Sequence, residues 1–166
     1  SFRAENKNHQ FLGVDVGDIN RNGRDEIFVT GRFDNSLSSF VLEAGQGKKR
    51  LKKTWDDVNL YFRIIHPFRT RPTLLAQAPG SNGPFYGPIS RMIYRKGRYR
   101  VHSKLKLPEV HGTEFIIYGL TSADTNGDGK RETVILDKNH KLRVYSARGR
   151  VQVQSEEAYG QDPRSF

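Results

Sequence analysis

The stretch Leu12-Gly-Val-Asp-Val-Gly-Asp18-Ile-Asn20-Arg-Asn22-Gly23-Arg-Asp-Glu26-Ile-Phe-Val29 has a second copy further along the chain. It is Tyr118-Gly-Leu-Thr-Ser-Ala-Asp124-Thr-Asn126-Gly-Asp128-Gly129-Lys-Arg-Glu132-Thr-Val-Ile135. The two align without a gap. Each has an apolar run, then Asp, Asn and Asn or Asp at every second position, then Gly, with Glu three residues later leading into a β-rich run. Asp18 and Asp124 lie 106 residues apart, which fits two repeats of roughly 53 residues better than one short repeat.

Working outward from these copies, each repeat reads as four short strands. In the first they are Phe11–Val16, Glu26–Arg32, Ser38–Glu43 and Leu51–Trp55, with turns at Asp34-Asn35 and Gly45–Gly47. In the third they are Glu114–Ser122, Glu132–Asp137, Lys141–Ser146 and Val151–Gln154, with turns at Lys138–His140 and Arg148-Gly149. A middle copy is expected over Leu60–Ile65, Thr73–Ala76, Ile89–Tyr94 and Tyr99–Leu105, with Gly97 in a hairpin turn. Its acidic loop is replaced by His66-Pro-Phe-Arg-Thr-Arg-Pro72, which makes it a degenerate repeat. Helical periodicity is nowhere sustained. The expected fold is all-β: a partial β-propeller of about three blades of four antiparallel strands, at about 9–58, 59–110 and 111–158.

Side chains at alternate positions of a tight loop converge on one point, and hard divalent cations take oxygen ligands, six to eight of them for calcium. The expected calcium ligands are Asp18, Asn20, Asn22, the Arg24 carbonyl and Glu26 in one loop. In the other they are Asp124, Asn126, Asp128, the Lys130 carbonyl and Glu132. Glycine before Arg24 and Lys130 permits the turn that carries the carbonyl inward. An EF-hand would place a bidentate acid at loop position twelve, between helices. Val29 and Ile135 occupy that position, in runs that favour strands, so an EF-hand is excluded. The last loop holds three acids and the first two, with Asp25 beside it, so weaker binding is expected at the first.

This pattern resembles the FG-GAP/VCBS repeats of integrin-α-like β-propellers, in which an Asp-x-Asn-x-Asp-Gly-x-x-Glu/Asp loop joins the first two strands of a blade. The resemblance covers about 9–42 and 114–147. Between 59 and 110 only strand pattern and length carry it. The Phe-Gly and Gly-Ala-Pro signatures that name the repeat are absent, with Phe85-Tyr-Gly-Pro88 a distant echo. The resemblance implies a calcium-stabilised, extracytoplasmic protein, because sites of this grade fill only where calcium is high.

The 166 residues carry a net charge of +10, with 35% hydrophobic and 11% aromatic residues. Aromatic content and patterning exclude a disordered chain. From Gly47 to Lys106 there are fifteen Lys and Arg against two acids, a local charge of +13, while the remainder is −3. That middle third suits an anionic partner. Arg95, Lys96, Arg98 and Arg100 interleave with Tyr94 and Tyr99, an arrangement fit for phosphate contacts and base stacking.

Cysteine is absent, which excludes disulfides, thiol catalysis and Cys-ligated metal. No apolar run is long enough for a transmembrane helix, and no secretory leader reads at Ser1. No nucleophile elbow, phosphate loop or dinucleotide fingerprint occurs, and Gly80–Pro84 is a plain loop. His9, His66, His102, His111 and His140 stand at no ligand spacing. Trp55 is expected in the core. The expected function is a non-catalytic binding or scaffolding module with a protein or anionic polymer as partner. The alternatives are a polyanion- or nucleic-acid-binding module using the basic middle repeat, and a propeller-type lyase or hydrolase. Propellers close with about four to eight blades. Three blades therefore predict either a part of a longer propeller or self-association that completes the ring.

Overall fold

A computed structural model describes residues 9–34, 36–45, 50–65, 71–81, 87–105, 115–137, 139–146 and 148–159. The strands are β1 (His9–Gly17), β2 (Glu26–Phe33), β3 (Ser36–Leu37), β4 (Ser39–Ala44), β5 (Leu51–Val58), β6 (Tyr61–Ile65), β7 (Thr73–Gln77), β8 (Ile89–Arg95), β9 (Arg98–Lys104), β10 (Phe115–Ala123), β11 (Glu132–Asp137), β12 (Leu142–Tyr145) and β13 (Val151–Gln154). No helix occurs among the described residues. The strands form three antiparallel sheets ordered β1-β2-β4-β5, β6-β7-β8-β9 and β10-β11-β12-β13, with β3 pairing β2 beside the first. Each is an up-and-down meander, the all-β blade pattern expected from the repeat.

Strand alternation explains how the sheets stack, because successive side chains leave opposite faces. On the middle sheet, Phe62, Ile64, Leu74, Ala76 and Met92 face the first sheet and pack on Phe28, Val41 and Val58. The alternate residues Tyr61, Leu75 and Ile89 face the third sheet and pack on Ile117, Leu120, Ile135 and Tyr145. The middle sheet is thus covered on both sides. Trp55 joins the first of these clusters, stacked on Tyr99 at 4.9 Å between ring centroids.

Buried polar side chains tie the sheets where backbone would otherwise be left unsatisfied. The Phe62 amide donates to Thr30 Oγ1 at 3.0 Å and Ser39 Oγ donates to the Leu60 carbonyl at 2.7 Å, joining the first and middle sheets. Gln77 Oε1 accepts from the Ile117 amide at 3.0 Å, joining the middle and third. The first strands of the sheets lie closest together. Arg63 on β6 pairs with Asp15 on β1 at 3.5 Å, and a Cβ on Gly13 would stand 3.1 Å from the Tyr118 ring. That contact accompanies the register shift between Phe11 and Gly13 in β1.

The two outer faces differ. Val29, Phe40 and Leu42 form a small cluster on the outer face of the first sheet. Val14 and Val16, opposite Val29 and Ile27 in the ladder, stand exposed beside it. On the third sheet Leu142 and Val153 are exposed as well.

Phe28 has no exposed surface and meets both the Phe62 and Tyr99 rings edge-on at 5.5 Å. Phe28→Ala is expected to cost about 3–5 kcal/mol, whereas Val14→Ser changes stability by about 0.5 kcal/mol or less. Urea denaturation of the two variants checks the contrast.

Candidate metal loops

Each acidic loop joins the first two strands of its sheet, β1 to β2 and β10 to β11. The two are hydrogen-bonded in nearly the same way. Asp18 accepts from the Asn22 amide at 3.1 Å and the Gly23 amide at 3.0 Å. Asp124 accepts from the amides of Gly127 at 2.7 Å and Gly129 at 3.0 Å. Asn20 Oδ1 takes the Asn22 amide and Asn126 Oδ1 the Asp128 amide, both at 2.9 Å. Asn22 and Asp128 in turn take the amides of Arg24 and Lys130 at 2.9 and 2.8 Å. Gly23 and Gly129 adopt φ of 80° and 78°, backbone that glycine reaches without steric cost. The repeated Asp/Asn side chains therefore fold the loop, and each carboxylate keeps lone pairs beyond those its amides use.

The distal glutamates sit beneath the loops. Glu26 is fully buried, and its Oε2 accepts from the amides of Ile19 at 2.9 Å and Asn20 at 3.1 Å. Glu132 is buried too, with Oε2 taking the Thr125 amide at 2.8 Å and the Thr125 hydroxyl at 2.9 Å. Ile19 drops into the core, so apolar burial anchors the first loop where the Thr125 hydroxyl anchors the second.

Glu26 has a charge problem. Its Oε1 is buried with no hydrogen-bond partner. The Tyr99 phenol lies beside this carboxyl, and burial together with the charge and hydrogen bonding of Glu26 pushes the phenol far above its usual range. In the ladder Glu26 stands directly opposite Glu43, and like charges so placed repel. Burial pushes the Glu26 carboxyl above its ordinary value, with Glu43 and Asp18 adding to the rise against the Asn20 and Ile19 amides. Glu43 itself pairs with Arg24 at 3.0 Å and accepts from the Asn22 side-chain amide.

Glu43 is the residue that sequence reasoning missed. Nothing in the loop motif points to it; only the register of β4 on β2 brings it to the loop. Among the described residues no three His, Cys, Asp or Glu side chains are placed to hold an ion by themselves. A cation here would also have to draw on Asn side chains and backbone carbonyls. That all-oxygen donor set fits a hard cation, and it includes the Glu26 oxygen that no backbone amide takes. At the second loop, the Lys130 amide holds Asp128 below the usual aspartate value, so it is a carboxylate at neutral pH.

Arg95, Lys96, Arg98 and Arg100 lie together on the β8–β9 hairpin, and Arg98 lines a cavity with Asn20 of the first loop and Glu43. Tyr99 turns from that hairpin into the core, stacked on Trp55, so it is not free to stack on a base. The segment 66–70 that replaces the acidic loop lies outside the described residues, as do His111, Phe85 and Tyr86.

No family model, curated protein or solved structure matches this chain.

Because the folded-state value of Glu26 is raised, it favours the native state at low pH. That contribution is complete below the unfolded glutamate value of about 4.5 and is lost as pH rises through the folded value. In chelator, Glu26→Gln is therefore expected to flatten the fall in stability from pH 4 to pH 7. Thermal melts across that range check it.

Proposed function

We propose that the chain is a non-catalytic, calcium-stabilised binding or scaffolding module that works outside the cytoplasm, in the manner of FG-GAP/VCBS-like propellers. One observation carries this reading. The buried Glu26 carboxylate has an oxygen that no backbone amide takes, lies near Glu43 and Asp18, and has no buried base to balance it among the described residues. A calcium ion held by Asp18, Asn20, Asn22, the Arg24 carbonyl and Glu26 offsets that charge. The second loop offers the matching set Asp124, Asn126, Asp128, the Lys130 carbonyl and Glu132. A bound cation favours the ionised form of Glu26 and so opposes the effect of burial.

A ligand that binds only the native state raises stability by mass action. With affinity of about 0.1–1 mM, as in extracellular modules, millimolar calcium is expected to raise the melting temperature and chelator to reverse it. Asp124→Ala is expected to remove more of the shift than Asp18→Ala. Its loop carries three acids, whereas the Glu43 charge beside the first loop is offset by Arg24. Calorimetric titration of calcium into the two variants checks the order. No shift and no heat in the wild-type chain would overturn the reading.

The outer faces of the first and third sheets are of the two kinds that meet between neighbouring sheets inside the molecule. Exposed apolar faces and open strand edges recruit further chains. In a head-to-tail dimer each outer face of one copy covers the other outer face of its partner, and the six sheets close with two-fold symmetry. Sedimentation of the 166-residue chain at low micromolar concentration is expected to show association that Val14→Asp or Val153→Asp weakens.

A further inference from the structure

The middle sheet ends in a β8–β9 hairpin whose turn, Lys96-Gly97, has φ of 52° and 76°. Positive φ at both central residues is the two-residue turn that matches strand twist, and it fixes which side chains oppose each other. Arg95 faces Arg98 directly, and Arg100 lies opposite Ile93 on the same side of the ladder. Lys96 crowns the turn. All four cations are exposed, and none makes an ion pair with an acid among the described residues.

Directly opposed like charges cost stability unless something anionic lies between them. Edge strands do carry Lys and Arg to deter pairing, but that need does not explain the density here. Of the corresponding edge strands, β5 balances Lys52 and Lys53 with Asp56 and Asp57, and β13 reads Val-Gln-Val-Gln with no charge at all. Beside the opposed arginines lies a shallow groove of about 490 Å³ lined by Ile93, Arg95, Lys96, Arg100, Val101 and His102. Its lining is cationic and aliphatic, with the His102 imidazole as its one ring and no Phe, Tyr or Trp. The hairpin tyrosines lie elsewhere, with Tyr94 and Tyr99 in edge contact with each other and Tyr99 stacked on Trp55.

We infer that this hairpin face binds an anionic polysaccharide, a chain bearing sulfate or carboxylate groups. The inference deepens the proposed binding role and rests on it. Arginine meets such groups through paired N–H donors, and a strand places one cation on the same side every two residues, which suits a repeating anionic chain. Single-stranded nucleic acid is bound through successive aromatic platforms as well as cations, and this groove offers a single imidazole and no Phe, Tyr or Trp. An apolar protein partner would need an anchoring pocket, and the groove is shallow and charged.

The test measures binding of the wild-type chain to a defined heparin oligosaccharide across a salt series, in calcium. Affinity is expected to fall steeply with salt. The variant Arg95→Thr/Arg98→Thr/Arg100→Thr is expected to lose binding about tenfold or more, with the salt slope reduced by roughly one per cation removed. The single reversal Arg95→Glu provides a second arm that leaves the turn intact. A control lacking the same number of cations elsewhere, Lys52→Ser/Arg148→Ser/Arg150→Ser, is expected to bind as wild type does. The calcium-dependent melting shift is read on every variant, so loss of glycan binding with that shift intact separates this face from the metal loops. Equal binding by the hairpin variants and wild type, equal losses in the control, or no wild-type binding would overturn the inference. So would a charge-matched single-stranded DNA that binds more tightly than the oligosaccharide.

Discussion

A sheet of four short strands has two faces and too little length to bury either by itself. The arrangement of this chain follows from that constraint. In the middle sheet β6, β7 and the start of β8 solve it on both faces, with Phe62, Ile64 and Leu74 packed against the first sheet and Tyr61, Leu75 and Ile89 against the third. Those strands are accordingly rich in apolar residues, as in Tyr61–Ile65, whereas β9 is largely exposed. The buried Thr30, Ser39 and Gln77 side chains then fix how the layers slide against each other, because Thr30 and Gln77 bond to a strand of the neighbouring sheet and Ser39 to Leu60, which leads into β6.

The acidic loops stand on the same scaffold. Glu26 and Glu132 begin the second strand of their sheets, and the ladder drives their side chains under the loop that has just been crossed. There each meets backbone amides that would otherwise be unsatisfied. Glu26 carries a cost that Glu132 does not, since the partner strand β4 places Glu43 across from it. A hydrophobic or neutral residue at either position would relieve that repulsion. Both acids instead stand beside a loop of oxygen donors.

Much of this was legible in the residues. Glu132–Asp137 and Val151–Gln154 fall where periodicity and turn residues place them, and most other strands differ only by a residue or two at their ends. The strand Ser36–Leu37 was not legible, because two residues carry no period. The role of Glu43 was hidden for a different reason: it depends on register across a ladder, which no local motif encodes. Tyr99 was misleading. Its interleaving with Arg98 and Arg100 suggests an exposed aromatic, but strand alternation sends it to the opposite side from those cations, into the gap beside Trp55 and Phe28. The shared hydrogen-bond scheme of the two acidic loops, by contrast, follows from their common spacing.

Layered stacking has a consequence for how the molecule loses structure. The first and third sheets meet chiefly through the middle one, so cooperativity passes along a short linear array, as in repeat proteins whose stability is a sum over units and nearest-neighbour interfaces. Such an array frays from its ends. The third sheet, with one covered face, can open while the other two remain joined, whereas loss of the middle sheet removes the support of both neighbours at once. The Thr30 and Gln77 bonds mark the two seams along which opening would run.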